Sequence, residues 1–245
     1  MSIEILGLGG LPEVRPGDPL AALLAAALPE VPAPGDILVV AHKVVSKAEG
    51  RIVRLDDVRP SARAVELAEG HGKDPRAVEV VLRESAEVLR AERGVLISRT
   101  RHGFVCANAG VDASNAGAPD TLILLPEDPD ASARALRAAL PGRPAVVVSD
   151  SFGRAWRNGQ VDVAIGIAGL APLEDWRGRP DAAGRLMRAT WLAVADMVAA
   201  AADLARTKDA GTPAALVRGL GHHVTPEDGP GVAPLLRARD EDLFR

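Results

Sequence analysis

Two polar segments of the sequence carry the residues best suited to chemistry. They are residues 108–115 (NAGVDASN) and 149–159 (SDSFGRAWRNG), which we predict to be loops, and each follows an apolar stretch predicted to be a strand. Asp112 and Asp150 place one carboxylate in each segment. Ligands of open α/β sheets gather at the carboxyl ends of strands, and oxygen donors suit Mg²⁺ and Mn²⁺. The two segments therefore predict a divalent metal site, with turn capping as the alternative role of each aspartate.

Basic residues near these carboxylates suit a phosphorylated ligand. Arg154 and Arg157 follow Asp150 in the same segment. A guanidinium group binds phosphate or carboxylate through two parallel hydrogen bonds, which a lysine does not do. Lys47 follows the predicted strand at residues 37–41, so it can reach a phosphate at the same sheet edge. For each of these cations, a solvent-exposed structural role is the alternative.

Several common active-site signatures are absent from the sequence. It contains no G-x-x-x-x-G-K-[ST], no H-E-x-x-H and no G-x-S-x-G motif. His42, His222 and His223 have no matching cluster, so packing or surface roles are favoured over metal binding or proton transfer. The only cysteine is Cys106, which excludes an intrachain disulfide and a multi-cysteine zinc site. We interpret it as a packing residue of a protein from a reducing compartment.

The composition is that of a globular protein without a nucleic-acid or membrane partner. Of 245 residues, 47% are apolar and 25% charged, and the net charge of −4 provides no basic field for a phosphate backbone. The most apolar later stretch, residues 191–204, is interrupted by Asp196 and Asp203 and is too short to span a bilayer. The N-terminal residues lack the pattern of a signal peptide. These features predict a cytoplasmic location.

Strand-like and helical segments alternate along the chain. Strands are predicted at residues 3–8, 37–41, 51–55, 95–99, 104–107, 121–125, 145–148, 161–167 and 214–218. Helices are predicted at residues 19–28, 61–70, 74–89, 128–140 and 192–205. The alternation predicts an α/β fold, a mixed sheet with flanking helices. No repeat or linker divides the chain, so residues 1–245 are predicted to form one catalytic unit, with two intertwined subdomains as the alternative.

A series of segments carries a family resemblance. In order, they are GGLPE, VVSKAEGR, ANAGVDASN, SDSFGRAWRNGQ, VAIGIAGL and PAALVRGL. Together they resemble the coenzyme F420-0:L-glutamate ligase family, in particular the ligase part of its two-domain actinobacterial form. The sequence ends at Arg245 without the nitroreductase-like domain of that form, so it looks like the free-standing ligase. The resemblance implies a family-specific α/β fold and a homodimer with the active site near the subunit interface.

The resemblance also implies an activity. It is the GTP-dependent addition of L-glutamate to the phospholactyl carboxylate of F420-0, with further γ-linked glutamates in some members. One or two Mg²⁺ or Mn²⁺ ions are the implied cofactors, with K⁺ as a further candidate. An acyl phosphate would form first, and the glutamate amine would then displace phosphate. Such a route depends on positioning and charge neutralisation, expected here from Asp150, Lys47, Arg154 and Arg157.

The remaining site residues are carried over from the resemblance position by position. Metal contacts are implied for Asp112, Asp150, Ser151 and Thr207, and nucleotide contacts for Gly10, Leu11, Pro12, Glu13, His42, Lys47 and Asn115. His42 stands where the family usually has a small hydroxyl residue, and residues 206–208 (RTK) replace a segment that is often glycine-rich. These departures leave the choice between GTP and ATP open.

Two other functions are compatible with the same residues. The first is a related ligase that joins an amino acid to a dehydro or otherwise modified F420-0, or to another phosphorylated acid. The second is a catalytically silent protein that binds nucleotide or metal, since the departures at His42 and Arg206 change the expected pocket. Product formation from F420-0 and glutamate separates both alternatives from the family activity.

Overall fold

A five-stranded mixed sheet forms the centre of the fold. The computed structural model describes residues 2–206 and 211–242. In spatial order, the strands are β1 (Glu4–Leu8), β12 (Ala214–Arg218), β2 (Ile37–Ala41), β8 (Ala145–Arg154) and β9 (Arg157–Ala168). Strands β2 and β8 are parallel, and the other neighbours are antiparallel. The predicted α/β fold with a mixed sheet is therefore confirmed.

Helices on the sheet explain why its central strands are apolar on both faces. The flanking helices are α1 (Leu20–Ala27), α5 (Pro129–Ala139) and α6 (Val194–Asp203). Asp128 begins α5 by accepting a hydrogen bond from the backbone N–H of Ala131, and Pro129 fits the first helical position. Residues 37–40 and 145–148 are fully buried. A continuous apolar run of this kind is typical of strands covered on both faces.

A second, smaller layer is built by residues between β2 and α5. Strand β3 (Ile52–Arg54) pairs with β7 (Thr121–Ile123), so the chain enters and leaves this layer at one place. Helices α3 (Ala62–His71) and α4 (Pro75–Glu84) lie beside a sheet of β4 (Ser85–Glu92), β5 (Val95–Thr100) and β6 (Val105–Ala107). The layer contains two apolar clusters of its own.

The predicted helix at residues 74–89 is wrong after Glu84. Helix α4 ends there because Ser85 has an extended backbone and its hydroxyl donates to the carbonyl oxygen of Val81 at 2.7 Å. Residues 85–92 instead form β4, which pairs with β5. The apolar pair Val88 and Leu89 matched a helical spacing, but pairing with the next strand in a hairpin decided the conformation.

Three shorter elements, one helix and two strands, lie outside these two groups. Helix α2 (His42–Ala48) begins directly after β2, and no helix was predicted there. Strands β10 (Glu174–Asp175) and β11 (Trp191–Leu192) form a small exposed arm between β9 and α6. Among the described residues, no helix has the length and apolar character that crossing a membrane requires.

Candidate functional site

The first turn of α2 contacts both aspartates that the sequence singled out. His42 Nε2 lies 3.2 Å from Asp150 Oδ1, and Lys43 Nζ lies 2.7 Å from Asp112 Oδ2. The contact with Asp150 arises because β2 and β8 are parallel neighbours whose pairing ends at Ala41 and Ser149, so α2 starts beside Asp150. The structure thus gathers the two polar segments around one helical turn.

Local hydrogen bonds fix the carboxylate of Asp112. The Ser114 N–H donates to Asp112 Oδ1 at 2.7 Å, and the Ser114 hydroxyl donates to Oδ2 at 3.0 Å. Burial alone would raise the pKa of Asp112, but the hydrogen bond from Lys43 and those from Ser114 outweigh it and hold this pKa below its ordinary value. Asp112 is therefore an anion at neutral pH.

Lys47 lies on the same helix, four residues after Lys43. Its side chain is 8% exposed, and its Nζ lies 2.5 Å from Oε1 of Glu13. Glu13 belongs to the loop between β1 and α1, called the N-terminal loop below. Gly10 has a φ of +79°, a conformation that glycine adopts without strain, at the start of this loop. The loop implied to contact nucleotide, which also contains Leu11 and Pro12, is thereby placed against α2. Asn115 (φ +57°) lies in an exposed turn directly after Ser114.

The residues on either side of Asp150 point to the opposite face of β8. Ser149 and Ser151 donate to Asp162 on β9, at 2.8 and 2.6 Å. Arg206 also binds the Asp162 carboxylate and donates to the Ser149 hydroxyl at 3.1 Å. Arg206 and Asp162 are both buried, 6% and 4% exposed. This buried network fixes the backbone that carries Asp150, and it places the Ser151 hydroxyl away from the Asp150 carboxylate.

The prediction of a loop at residues 149–159 is wrong, because this segment is part of a β-hairpin. Strand β8 continues to Arg154, and Arg157 begins β9 directly opposite. Arg154 donates to the carbonyl of Asn158 at 2.9 Å at the exposed tip. Arg154 lies four positions after Asp150 along an extended strand, a distance of about 13 Å. Within this chain, neither arginine is brought to the carboxylate.

Some residues of the site escaped the sequence analysis. Lys43 and Ser114 contact Asp112, while Ser149 and Asp162 support the strand that carries Asp150. The sequence does contain a signal for helix α2 and for the face that carries these residues. His42 and Ser46 are four positions apart, as are Lys43 and Lys47, and residues with this spacing share a helix face. The predicted metal contact Thr207 lies outside the described residues.

The carboxylate oxygens of the site suit a hard divalent cation whose coordination shell is completed by a bound ligand. Asp112 and Asp150 supply carboxylate oxygens. Within residues 2–206 and 211–242, no three His, Cys, Asp or Glu side chains are grouped to hold a metal ion. Further donors therefore have to come from other protein oxygens, water or a bound phosphate.

Cys106 is not a nucleophile of this site. It is buried, and burial together with the negative charge of Asp150 raises the pKa of its thiol to about 12. The thiolate is therefore absent at neutral pH. The prediction that Cys106 is a packing residue agrees with this environment.

Known proteins resemble this chain along nearly all of its length. The family model for F420-0:Gamma-glutamyl ligase matches residues 9–219. The coenzyme F420:L-glutamate ligase of Methanothermobacter thermautotrophicus is 46% identical, and the alignment covers all of both chains. Proteins of the same name from Methanopyrus kandleri and Natronomonas pharaonis are also 46% identical, over 97% and 99% of this chain and 100% and 95% of theirs.

The family match also contains the site described above. Residues 9–219 include the N-terminal loop, all of α2, both aspartates and the β8–β9 hairpin. By this match and by full-length relatives at 46% identity, the chain belongs to the F420-0:gamma-glutamyl ligase family.

Proposed function

We propose that this protein joins L-glutamate to coenzyme F420-0 in the biosynthesis of F420, with GTP as the co-substrate. The main support is family membership, since the relatives named coenzyme F420:L-glutamate ligase align over nearly their whole length. The observation that carries the proposal is the first turn of α2, where His42 contacts Asp150 and the adjacent Lys43 contacts Asp112.

The reaction requires activation of a carboxylate. A carboxylate and an amine do not condense in water, so the phospholactyl carboxylate of F420-0 would attack the γ-phosphorus of GTP and release GDP. The glutamate amine would then attack the acyl phosphate, form the amide, lose a proton and release phosphate. A divalent cation, Mg²⁺ or Mn²⁺, held by Asp112 and Asp150, would neutralise charge on the triphosphate.

The lysines of α2 suit the phosphate chemistry. Lys43 and Lys47 each form an ion pair with a carboxylate, Asp112 and Glu13 respectively. An incoming triphosphate offers oxygens that compete for both ammonium groups, and an incoming cation competes for Asp112. Binding would therefore exchange two internal ion pairs for contacts with the ligand. In this role, Lys47 and Lys43 neutralise phosphate charge and orient the γ-phosphoryl group.

A homodimer is part of the same proposal. The tip of the β8–β9 hairpin exposes Trp156 (80%) beside Arg154 and Arg157, far from Asp150 of the same chain. An aromatic residue flanked by arginines is a frequent composition of protein interfaces. In a dimer with its active site near the subunit interface, the two arginines would act on the partner's substrates. A cytoplasmic location, and K⁺ as a further ion, also remain proposals.

One experiment tests the reaction. The purified protein is incubated with F420-0, L-glutamate, Mn²⁺ and either GTP or ATP, and the products are analysed by mass spectrometry. Mass increments of one glutamate residue with GTP are the expected result. Product with ATP alone would keep the chemistry but overturn the GTP assignment. Nucleotide and metal binding without product from F420-0 would favour a modified acceptor or a silent relative.

A further inference from the structure

His42 has an environment that a packing histidine does not need. It is 2% exposed, and its Nδ1 lies 3.3 Å from the Ser46 hydroxyl, one turn later in α2. Its Nε2 lies 3.2 Å from Asp150 Oδ1, yet it has no hydrogen-bond partner of acceptable geometry among the described residues. The carboxylate oxygen therefore lies beside the axis of the Nε2 lone pair or N–H bond. A buried polar nitrogen without an aligned partner is energetically costly.

We propose that His42 Nε2 and Asp150 Oδ1 are ligands of the same divalent cation. Two ligands about 2.1 Å from one metal and about 90° apart lie about 3.0 Å from each other, close to the observed 3.2 Å. In that arrangement the metal lies on the lone-pair axis and the oxygen lies to its side. A shared cation therefore explains both the short distance between His42 Nε2 and Asp150 Oδ1 and the poor hydrogen-bond geometry between them.

Ser46 supplies the support that a metal-binding histidine needs. If Nδ1 carries the proton and donates to the Ser46 hydroxyl, the Nε2 lone pair is free for the cation. The spacing of four residues on α2 also fixes the plane of the ring. On the other side, Asp150 is held by its strand, whose neighbouring residues are bound to Asp162 and Arg206.

An imidazole ligand changes which cation the site prefers. Mg²⁺ favours oxygen donors, whereas a nitrogen ligand shifts preference toward transition metals such as Mn²⁺ and Co²⁺. Only this pair is assigned here, and other donors have to complete the coordination. The Asp150 side chain remains 14% exposed, so the pair is reached from that side. This inference rests on the proposed function, because it assumes that a divalent cation binds at Asp150.

The test detects the metal–nitrogen bond directly. Protein labelled with ¹⁵N-histidine is mixed with Mn²⁺ alone, and pulsed EPR measures the coupling between the Mn²⁺ electron spin and coordinated ¹⁵N. The wild-type protein is expected to show this coupling without nucleotide. The control variant His102→Asn is expected to keep it, because His102 is bonded to the carbonyls of Pro126 and Glu127 in the smaller layer. The variant His42→Ala is expected to lose it.

A second measurement keeps the proposal testable if the His42→Ala protein does not fold. Ser46→Ala retains both ligands and removes only the support of the ring, so it is expected to weaken Mn²⁺ binding about 10- to 100-fold. Mn²⁺ binding at one site without ¹⁵N coupling in the wild-type protein would overturn the histidine assignment while leaving the ligase function intact. Glutamate ligation that proceeds without any divalent cation would overturn the metal premise of the proposed function as well.

Discussion

Lys47 Nζ lies 2.5 Å from Glu13 Oε1, so a lysine in the core of the site is paired with an acid from the N-terminal loop. The lysine is 8% exposed, whereas the Glu13 side chain is 63% exposed. In the proposed function, the Glu13 carboxylate competes with a phosphate oxygen of the nucleotide for the Lys47 ammonium group. The ion pair therefore competes with the ligand that the site is proposed to bind, and this competition can be measured.

We expect Glu13→Gln to tighten nucleotide binding. The substitution removes the negative charge that competes for Lys47. Because a partly exposed ion pair is weak, its loss should lower the Kd for GTP by about 2- to 5-fold. Lys47→Gln should instead raise this Kd about tenfold or more, because a charge-assisted contact is lost. Isothermal titration calorimetry measures both values. Glu66→Gln, in an exposed ion pair with Arg63 on α3, is the matched control. Weaker binding in the Glu13 variant would contradict the competition.

Asp150 is predicted to be required for metal-dependent turnover. Asp150→Ala and Asp150→Asn should reduce kcat at least about 10³-fold, because charge neutralisation of the phosphates is lost. The sequence-based expectation of a loop carboxylate was wrong, since Asp150 lies in β8 and contacts buried His42. The Ser151 N–H donates to Asp150 Oδ1 at 2.7 Å, and the alanine variant lacks this acceptor, so we expect it to lose about 1–3 kcal/mol of unfolding free energy without losing the fold. Circular dichroism during denaturation checks the fold, and unchanged turnover would refute the site assignment.

The buried pair of Arg206 and Asp162 is predicted to position Asp150. Arg206→Lys keeps the charge but loses the forked geometry that joins Asp162 to Ser149, and it should weaken Mn²⁺ binding about 10- to 100-fold. A loss of about 1–3 kcal/mol of unfolding free energy should accompany the weaker Mn²⁺ binding. Both the Mn²⁺ affinity and the unfolding free energy are measured on the same protein preparation.

A second buried arginine provides the control for this prediction. Arg137 on α5 donates to Asp228 at 2.6 Å, its side chain is 4% exposed, and its other hydrogen bonds go to the carbonyls of Thr225 and Pro226, not to the β8–β9 hairpin. Arg137→Lys should cost a similar free energy of unfolding but leave Mn²⁺ affinity unchanged. Equal losses of Mn²⁺ affinity in both variants would mean that Arg206 acts only through global stability.

Cys106 is predicted to be unreactive in the folded protein. Its pKa of about 12 leaves essentially no thiolate at pH 8, and its side chain is buried. An aromatic disulfide reagent should therefore modify the native protein very slowly and the denatured protein at once, with reactivity rising only as the pH approaches 12. Cys106→Ala should keep its turnover. Rapid labelling of the native protein at pH 8 would contradict this assignment.

Much of the central fold is readable from the sequence. The apolar runs at residues 37–41 and 145–148 predict buried strands because both faces need apolar side chains. Asp128 and Pro129 predict the start of α5 through local capping chemistry. The polar segments around Asp112 and Asp150 were also found, since their residue types do not depend on the fold.

Tertiary structure decided what local patterns leave undetermined. Residues 85–92 are a strand because β5 pairs with them, and residues 149–154 extend into a hairpin because β9 does. The β8–β9 pairing carries Arg154 and Arg157 away from Asp150, although the three are close in sequence.

The side-chain contacts at the centre of the site also join residues that are far apart in the sequence. The contacts of His42 with Asp150, Lys43 with Asp112 and Lys47 with Glu13 join residues 34 to 108 positions apart. The sequence by itself determined which side chains are available for metal and phosphate chemistry. Only the tertiary structure decided which of them meet, because the order of strands in the sheet depends on hydrogen bonds between distant segments.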